Sequence, residues 1–421
     1  MSISYLDSNI FYPGSASATA AHGACWDLDP STGATCFCPN YFDMWGTAGA
    51  STTLQLNFSA PPAVGGSGGS AVTAGTYLKV YVDGAAPVFT EINTLTSATL
   101  ASGLAAGNHY LRVWVCQCNT NQWSNSLATQ VLNWQTVTAT SGSWSTIPVT
   151  SPSGLALIYG DSIMSGSLIW APSTTPSQDT SLSFAMALAR ALGVAAAFAV
   201  YPGIGYLTGT RQGGGYWPGS TYEIPGFFTP SSPSNSSWNQ LCGLSGYTRS
   251  WPSNLRYVLI PGLGVNDALS NLGPTISGSG ETAAQLEASV SGFLAAIRGQ
   301  VPAACEIVVM PPWAGAWNGL TLNSWAALEG AIQTGWSNYQ ASTPDPLCYF
   351  IPWNLSTLEQ SENYNTSAVA TTYTSEGLHP NLTGHEFLTS VAVKQVLAAI
   401  SPGPPVIVKN TNQYFYNEME P

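Results

Sequence analysis

The 421-residue sequence predicts an α/β protein in which an all-β sandwich precedes a domain built on a parallel, doubly wound sheet. Short alternating segments separated by turn residues fill the first third of the chain, whereas from about residue 155 short apolar runs alternate with helical patterns. Hydrophobic residues make up 45% of the chain, which is enough to form sizeable cores. The predicted domains are residues 1–150 and residues 151–402, followed by a tail at residues 403–421.

Alternation of apolar and polar residues predicts strands in the first domain. Four such strands are expected, at residues 52–58, 77–82, 109–115 and 130–138. Asp83-Gly84 follows the second of them and Gly107-Asn108 precedes the third, and both pairs are typical of tight turns. Several short strands at this spacing favour a sandwich.

Strands and helices alternate in the second domain. Strands are expected at residues 155–159, 195–200, 257–260, 307–310 and 348–351, and helices at residues 181–192, 281–298, 322–339 and 384–400. Ligands of such sheets bind beyond the carboxyl ends of the strands. Ser162, Gly203 and Asn266 each follow a predicted strand. We therefore expect these three residues to meet at one edge of the sheet.

The charge balance limits the classes of partner. Only 7% of residues are charged and the formal net charge is −12, with 9 Lys and Arg in all. Nucleic acids and anionic membrane surfaces both need a basic footprint, so neither is expected as a partner. A polar but uncharged surface suits an extracellular or a virion-associated protein. No apolar run reaches membrane-spanning length, and residues 1–20 lack the basic segment and apolar core of a signal peptide.

Eight cysteines are unevenly placed. Five lie in the first domain: Cys25, Cys36, Cys38, Cys116 and Cys118. Their Cys-x-Cys spacing differs from the C-x₂₋₄-C of zinc ribbons, so we expect disulfides among the five, with one thiol left over, and no metal site. Cys305 and Cys348 adjoin apolar strands and are expected to be inert core thiols. No cofactor is expected.

Three sequence segments supply groups suited to acyl transfer. Ser162, in Gly160-Asp161-Ser162, could present its hydroxyl at the sheet edge as a nucleophile, or could simply cap a helix. Gly203 could offer a backbone N–H to an oxyanion, with Gly205 as the alternative donor, although both could be ordinary turn glycines. The side-chain amide of Asn266 is a further donor, or a turn-stabilising group.

His379 is the candidate base. It is one of 4 histidines and stands before Pro380, in a predicted loop that can reach Ser162. Glu376, three residues upstream, could orient the imidazole or could be a solvated loop carboxylate.

Aromatic residues near the same edge could stack on sugar rings. Trp217 lies in the long irregular stretch at residues 206–251, and Trp313 and Trp317 follow the fourth predicted strand. Long loops in compact domains are usually functional. The alternative is that these aromatics form a hydrophobic cluster that pins the loops.

These three segments, together with the one that carries Glu376 and His379, resemble the blocks of the GDSL or SGNH hydrolase family over about residues 153–400. The blocks are Gly160-Asp161-Ser162, Gly203, Gly264-x-Asn266-Asp267 and Glu376-x-x-His379-Pro380. The resemblance implies a three-layer, flavodoxin-like fold, with Ser162 as nucleophile, His379 as base and Glu376 as acid. It also implies an oxyanion hole made by the Ser162 and Gly203 N–H groups with Asn266. Two positions differ from the family pattern: Glu376 stands where Asp is usual, and Tyr201-Pro202 where an Asn usually precedes the glycine.

The first domain is similar to the N-terminal, jelly-roll-like domain of family 2 carbohydrate esterases. The similar segments are residues 78–84 and 104–115. Those enzymes remove acetyl groups from plant polysaccharides, and some replace the triad acid by a backbone carbonyl. The resemblance implies a serine esterase acting on an acylated carbohydrate.

Two further functions stay open, and the sequence indicates no oligomeric state. The first is a generic lipase, arylesterase or peptidoglycan O-acetyl esterase, which would act on another ester. The second is a glycan-binding or virion structural protein that keeps a hydrolase-like fold. The intact set of Ser162, Asn266 and His379 argues against this last function.

Overall fold

The structure is a computed structural model. It describes residues 2–13, 26–29, 33–37, 40–58, 76–92, 95–117, 131–149, 154–167, 169–170, 176, 178–201, 203–207, 210–211, 223–224, 226–239, 248–267, 282–313, 322–353, 373–374 and 379–400.

Twelve of the described strands form two antiparallel sheets in the first 149 residues, the β-rich region. They are β1 (Ser2–Ser4), β2 (Ile10–Phe11), β3 (Trp26–Asp29), β4 (Gly33–Phe37), β5 (Asn40–Ala48), β6 (Thr52–Phe58), β7 (Tyr77–Val82), β8 (Val88–Glu91), β9 (Ser97–Leu104), β10 (Gly107–Gln117), β11 (Val131–Ser141) and β12 (Trp144–Ile147). The first sheet has the order β3-β4-β11-β6-β9, with β1 beside β11. The second has the order β12-β5-β10-β7-β8, with β2 beside β5.

The two sheets share one apolar core because their strands alternate. Phe42 and Met44 of β5 are fully buried, as are Leu54 and Leu56 of β6 in the other sheet. Trp134 of β11 is also fully buried and stacks on Phe42, with 4.9 Å between ring centroids. Burial of each such side chain contributes roughly 1.5–3 kcal/mol.

The strand predictions for this region are confirmed, with one turn misplaced. β6 and β7 have the predicted bounds, and Asp83 and Gly84 have φ values of 51° and 73°, as a tight hairpin turn requires. Gly107 and Asn108, however, pair with Ala48 and Thr47 and so begin β10. The prediction of a turn there was wrong because the ladder to β5 extends through both residues.

A parallel sheet forms the second part of the chain, the parallel-sheet region. Its strands are β13 (Leu155–Gly160), β14 (Ala195–Val200), β17 (Leu255–Pro261), β18 (Glu306–Met310) and β19 (Cys348–Phe350), and a separate pair is formed by β15 (Thr210–Arg211) and β16 (Glu223–Ile224). The order β14-β13-β17-β18-β19 is that of flavodoxin-like sheets, in which neighbouring loops diverge between the first and third strands. Here that switch point lies between β13 and β17.

Four of the described helices flank this sheet. They are α1 (Phe184–Ala191), α2 (Ala283–Arg298), α3 (Leu322–Ser342) and α4 (Leu382–Ile400), of which α1 packs with α4 and α2 with α3. The helix predicted at residues 181–192 is in fact a 3₁₀ helix, Thr180–Leu182, followed by α1. The helix is interrupted because Ser183 has an extended backbone and its side chain accepts the Met186 N–H at 3.3 Å, as an N-cap.

The β-rich region covers the edge strand β14. Asn40 pairs with the backbone of Phe198: its Oδ1 accepts the Phe198 N–H at 3.2 Å and its Nδ2 donates to the Phe198 carbonyl at 3.4 Å. Tyr41 and Trp114 are buried at the same contact, with 4.5 Å between their rings, and Trp114 lies 5.9 Å from the Phe198 ring. The unpaired side of β14 is therefore closed against other strands.

Three of the described cysteine side chains are buried, those of Cys116, Cys305 and Cys348. Burial raises the pKa of both Cys305 and Cys348 to about 12, so these two are inert core thiols as predicted. Cys25, Cys38 and Cys118 lie outside the described residues, as does the Cys36 side chain, so the disulfides stay a prediction.

The described residues include neither a membrane-spanning helix nor a cluster of metal ligands. No helix among them is both long and apolar enough to cross a membrane. The same residues contain no group of three or more His, Cys, Asp or Glu side chains that could hold a metal ion.

Candidate active site

Ser162 lies in a tight turn directly after β13. The Asp161 side chain accepts the Ile163 N–H at 2.9 Å, and the Ser162 carbonyl accepts the Ser167 N–H at 3.0 Å. A Cβ at Gly160 would lie 2.2 Å from Met164 Cγ, so only glycine lets the chain turn this closely. Ser162 is 8% exposed, at the carboxyl end of its strand.

His379 contacts Ser162 although 217 residues separate them. Its Nε2 lies 2.8 Å from the Ser162 Oγ, which is hydrogen-bonding distance. The loop that carries His379 is anchored on both sides, since Pro380 forms a β-bridge with Thr374 and the Leu382 N–H donates to the Ile169 carbonyl at 3.0 Å. An imidazole in this place can accept the serine proton during nucleophilic attack. Glu376 lies outside the described residues, so its predicted role as the acid stays a prediction.

The two candidate glycines have different structural reasons to be glycine. Gly203 has a φ of 81° in a turn closed by the Ile204 N–H, which donates to the Tyr201 carbonyl at 3.1 Å. Other residues rarely adopt that conformation. Gly205 is required for space, because a Cβ there would lie 2.3 Å from Asp267 Oδ2.

Asn266 and Asp267 tie the end of β17 to this glycine segment. The Asn266 Nδ2 donates to the Ile204 carbonyl at 2.8 Å and has a longer contact, 3.5 Å, with Asp161 Oδ2. Asp267 is fully buried and accepts the Tyr206 and Leu207 N–H groups at 2.8 and 3.0 Å. One N–H of the Asn266 amide is therefore committed, and the other is held only weakly.

Asp161 is a buried carboxyl beside the Ser162–His379 pair. Burial raises its pKa to about 7, with a further rise from Asp267, while the Ile163 N–H and His379 act in the opposite direction. Its charge state therefore changes near neutral pH, within 3.5 Å of the Asn266 amide.

Trp313 is buried where the sequence predicted substrate contact. It is 2% exposed and belongs to the main core of the parallel-sheet region. A ring buried to this extent presents no face to a sugar, so the structure gives Trp313 a packing role. Trp217 and Trp317 lie outside the described residues and remain predicted substrate contacts.

Two residues near the site were missed by sequence reasoning. Trp353 follows β19 and its Nε1–H donates to the Pro311 carbonyl at 2.6 Å; the strand-end rule that selected Trp313 would also have found it. His385 on α4 is fully buried, and its Nδ1 accepts the Phe184 N–H at 3.3 Å. Burial, helped by His379, lowers the pKa of His385 to about 3, so this imidazole is neutral. No local pattern distinguishes it from an exposed helix residue.

Solved structures are similar to this chain over nearly its whole length. No protein-family model and no curated protein matches it. A family 2 carbohydrate esterase from Clostridium thermocellum, solved in complex with cellohexaose, is 15% identical at a TM-score of 0.63, with 92% of this chain and 98% of that chain covered. An acetyl xylan esterase from the rumen bacterium Butyrivibrio proteoclasticus is 14% identical at a TM-score of 0.61, with coverage of 94% and 97%. A protein described as a GDSL-like lipase, from Bacteroides ovatus, is 10% identical at a TM-score of 0.52, with coverage of 95% and 97%.

These similarities extend over both the β-rich and the parallel-sheet regions, because more than nine-tenths of each chain is covered. The resemblance expected from the sequence is thus confirmed for the fold. This chain has the fold of family 2 carbohydrate esterases and of a GDSL-like lipase.

Proposed function

We propose that this protein is a serine esterase that removes O-acyl groups, acetyl groups in particular, from a carbohydrate. The observation that carries the proposal is the 2.8 Å contact between Ser162 Oγ and His379 Nε2, at the sheet edge beside Asn266. A serine hydroxyl is a weak nucleophile without an adjacent base, and this contact supplies one.

In the first half of the proposed reaction, Ser162 Oγ attacks the ester carbonyl while His379 Nε2 takes the hydroxyl proton. The tetrahedral oxyanion accepts hydrogen bonds from the Ser162 and Gly203 N–H groups and from Asn266 Nδ2. Collapse breaks the bond to the sugar oxygen, which receives the proton from His379, and the acyl group remains on Ser162. In the second half, water attacks the acyl carbonyl while His379 Nε2 takes its proton; collapse breaks the bond to Ser162 Oγ, which receives that proton as the carboxylic acid leaves.

Asn266 is suited to bind the oxyanion because its amide is only half committed. One N–H is fixed on the Ile204 carbonyl, which holds the plane of the amide. The other makes only the 3.5 Å contact with Asp161, so it can donate to a developing charge at little cost. Fixed donors of this kind are worth about 2.7–4 kcal/mol each in enzymes where one has been removed.

The group that orients His379 is Glu376 in this proposal. The sequence places it at the three-residue offset usual for the acid of GDSL hydrolases, and the alternative is a dyad in which a backbone carbonyl replaces the acid.

We also propose the division into a jelly-roll-like accessory domain, residues 1–150, and a catalytic domain, residues 151–402.

The substrate class rests on two supports. The similar proteins include one described as a carbohydrate esterase in complex with cellohexaose and one described as an acetyl xylan esterase. A chain with 9 Lys and Arg and a net charge of −12 also favours a neutral substrate over an anionic one. Trp217 and Trp317 are the proposed sugar-stacking residues, and the proposed setting is extracellular or virion-associated.

The test measures acetate release from acetylated xylan and acetylated cello-oligosaccharides, with Ser162→Ala as the blank. We expect release by the wild type alone. The similarity to a GDSL-like lipase makes a lipase or arylesterase the second candidate. Hydrolysis of long-chain or aryl esters without acetate release from any glycan would favour it. No hydrolysis of any ester, with binding to a glycan retained, would leave a glycan-binding protein.

A further inference from the structure

Lys79 of β7 is a lysine buried at the contact between the two regions. It is 2% exposed, and its Nζ donates to Asp179 Oδ2 at 2.9 Å and to Ser181 Oγ at 2.6 Å. Asp179 is fully buried. Lysine is almost never buried without a charged partner, because removal of the ammonium group from water is costly. This ion pair therefore joins the β-rich region to one defined place in the parallel-sheet region.

The ammonium group is also held from the β-rich side. It lies 5.0 Å from the ring centroid of Tyr81 and 5.5 Å from that of Phe89, on β7 and β8. Such contacts favour a cation over a neutral group. The β-rich region thus contributes two ring contacts that help to hold Lys79 Nζ at this place.

Asp179 and its neighbours hold the segment that follows the nucleophile. The Asp179 N–H donates to the Gly166 carbonyl at 3.2 Å, and the Thr180 hydroxyl donates to the Ser165 carbonyl. Gly166 has a φ of 68°, and a Cβ there would lie 2.5 Å from the Asp179 carbonyl oxygen. The two segments are therefore in direct backbone contact.

Residues that follow the nucleophile turn contact the backbone near both Ser162 and His379. Ser165 donates its hydroxyl to the Ser162 carbonyl at 2.8 Å and its N–H to the Asp161 carbonyl at 3.1 Å. Four residues later, the Ile169 carbonyl accepts the Leu382 N–H, three residues after His379. A displacement of residues 165–167 and of Ile169 would thus change the distance between Ser162 Oγ and His379 Nε2.

We infer that Lys79 is a positioning residue for the Ser162–His379 pair, acting through Asp179 and through Ser165, Gly166 and Ile169; the inference rests on the proposed esterase function. The accessory region is on this account part of the catalytic unit, because one of its side chains fixes the nucleophile turn. An ion pair with two acceptors fixes position more strictly than an apolar contact, which tolerates sliding.

The test compares four variants of the full-length chain. Lys79→Met removes the ammonium group. Lys79→Met with Asp179→Asn removes both charges but keeps an oxygen that can accept the Ser181 N–H, now taken by Asp179 Oδ1 at 3.1 Å. Lys79→Arg keeps the charge. The matched control is Arg298→Met with Asp345→Asn, since that ion pair, at 2.6 Å, lies before the starts of β18 and β19, at the opposite edge of the sheet from Ser162.

Three readouts are measured at a temperature at which circular dichroism shows each variant folded: kcat, KM, and the rate of labelling by a fluorophosphonate. We expect Lys79→Met and the double Lys79/Asp179 variant to lose at least about tenfold in kcat and in labelling rate, as small misplacements of reacting groups do. KM should change by less than about threefold. Lys79→Arg should recover part of the loss, and the Arg298/Asp345 control should keep the wild-type rates.

The inference is overturned if the double Lys79/Asp179 variant keeps wild-type kcat and labelling rate, or if the Arg298/Asp345 control loses as much. The double variant decides the matter if Lys79→Met alone fails to fold, because it leaves no unpaired buried charge. An inactive and unlabelled wild type would overturn the proposed function together with this inference, whereas an active wild type with unaffected Lys79 variants overturns the inference alone.

Discussion

The two halves of the carboxyl edge of the parallel sheet carry different kinds of residue. Beside β13, β14 and β17 lie Ser162, Asn266 and a glycine with positive φ, and hydrogen bonds tie these loops to one another. Beside β18 and β19 lie Trp313, which is buried, and Trp353, whose indole N–H is fixed on a backbone carbonyl. The described polar groups that can react are therefore concentrated at the switch point between β13 and β17. The described residues of the other half, Trp313 and Trp353, have packing roles.

The largest effect is expected at the base. His379→Ala should lower kcat by roughly four orders of magnitude or more, close to the loss in Ser162→Ala, because residues that act as a unit are not additive. The double variant should be no worse than either single variant. Acetate release measured for all three tests this, and a His379→Ala enzyme within about tenfold of wild type would contradict the role of base.

Glu376→Gln separates a triad from a dyad. It keeps the size of the side chain and removes the charge that would stabilise the imidazolium. We expect a loss in kcat on the order of a thousandfold or more, as for other triad acids. A loss below about tenfold, equal to about 1.4 kcal/mol, would assign the orientation of His379 to a backbone carbonyl instead.

Asn266→Ala tests whether a side chain of the polar half of the edge stabilises the oxyanion. The loss in kcat should be about 10²–10³-fold with little change in KM, because the amide is needed only as the charge develops. Asn266→Asp is the matched control, since it keeps the size but removes the N–H donors. A rise in KM at constant kcat in both variants would indicate ground-state binding instead.

The buried His385 of α4 makes the stability of the fold depend on pH. The pKa of His385 is about 3 in the folded protein against an ordinary value of 6.5, so the unfolded chain binds the proton first as pH falls. The stability contributed by the neutral, buried imidazole is complete above about pH 6.5 and is lost progressively towards pH 3, by a few kcal/mol in total. His385→Asn, whose amide oxygen can accept the Phe184 N–H, should flatten this dependence.

Urea unfolding midpoints of wild type and His385→Asn, measured at pH 7, 5 and 4, check this expectation. Wild type should lose more stability than the variant across that range. Parallel losses in the two proteins would show that His385 is not the titrating group.

The smallest effect on activity is expected in the apolar half. Trp313→Phe should lower the free energy of unfolding by about 1–2 kcal/mol, because it leaves a cavity in the core. KM for an acetylated oligosaccharide should change by less than about threefold. A tenfold rise in KM at unchanged stability would instead restore Trp313 to the substrate contacts predicted from the sequence.

Much of the fold could be predicted because its signals are local. The bounds of β6, β7 and β14 follow from residue patterns within each strand, and the turn after β13 follows from Gly160 and Ser162. The break before α1 had a local signal in Ser183, a residue type that favours N-caps, but the apolar pattern on either side outweighed it.

Contacts between regions could not be predicted in this way. Lys79 stands in an alternating strand, where a lysine normally faces water, yet both faces of β7 are buried because the parallel-sheet region covers the outer one. Its partner Asp179 lies 100 residues away in the sequence. The contact between Asp161 and Asn266 likewise depends on how β13 and β17 pair. The burial of Trp313 was missed for the same reason, since the position of a residue in the sequence predicts the edge of the sheet at which it lies but not the direction of its side chain.

The central claim is that Ser162, paired with His379, is a reactive nucleophile. The most direct measurement is fluorophosphonate labelling of the wild-type protein, followed by intact mass determination and peptide mapping. The account predicts one adduct per chain, located on Ser162, and no adduct in His379→Ala under the same conditions. An unlabelled wild-type protein, or an adduct on a serine other than Ser162, would contradict it.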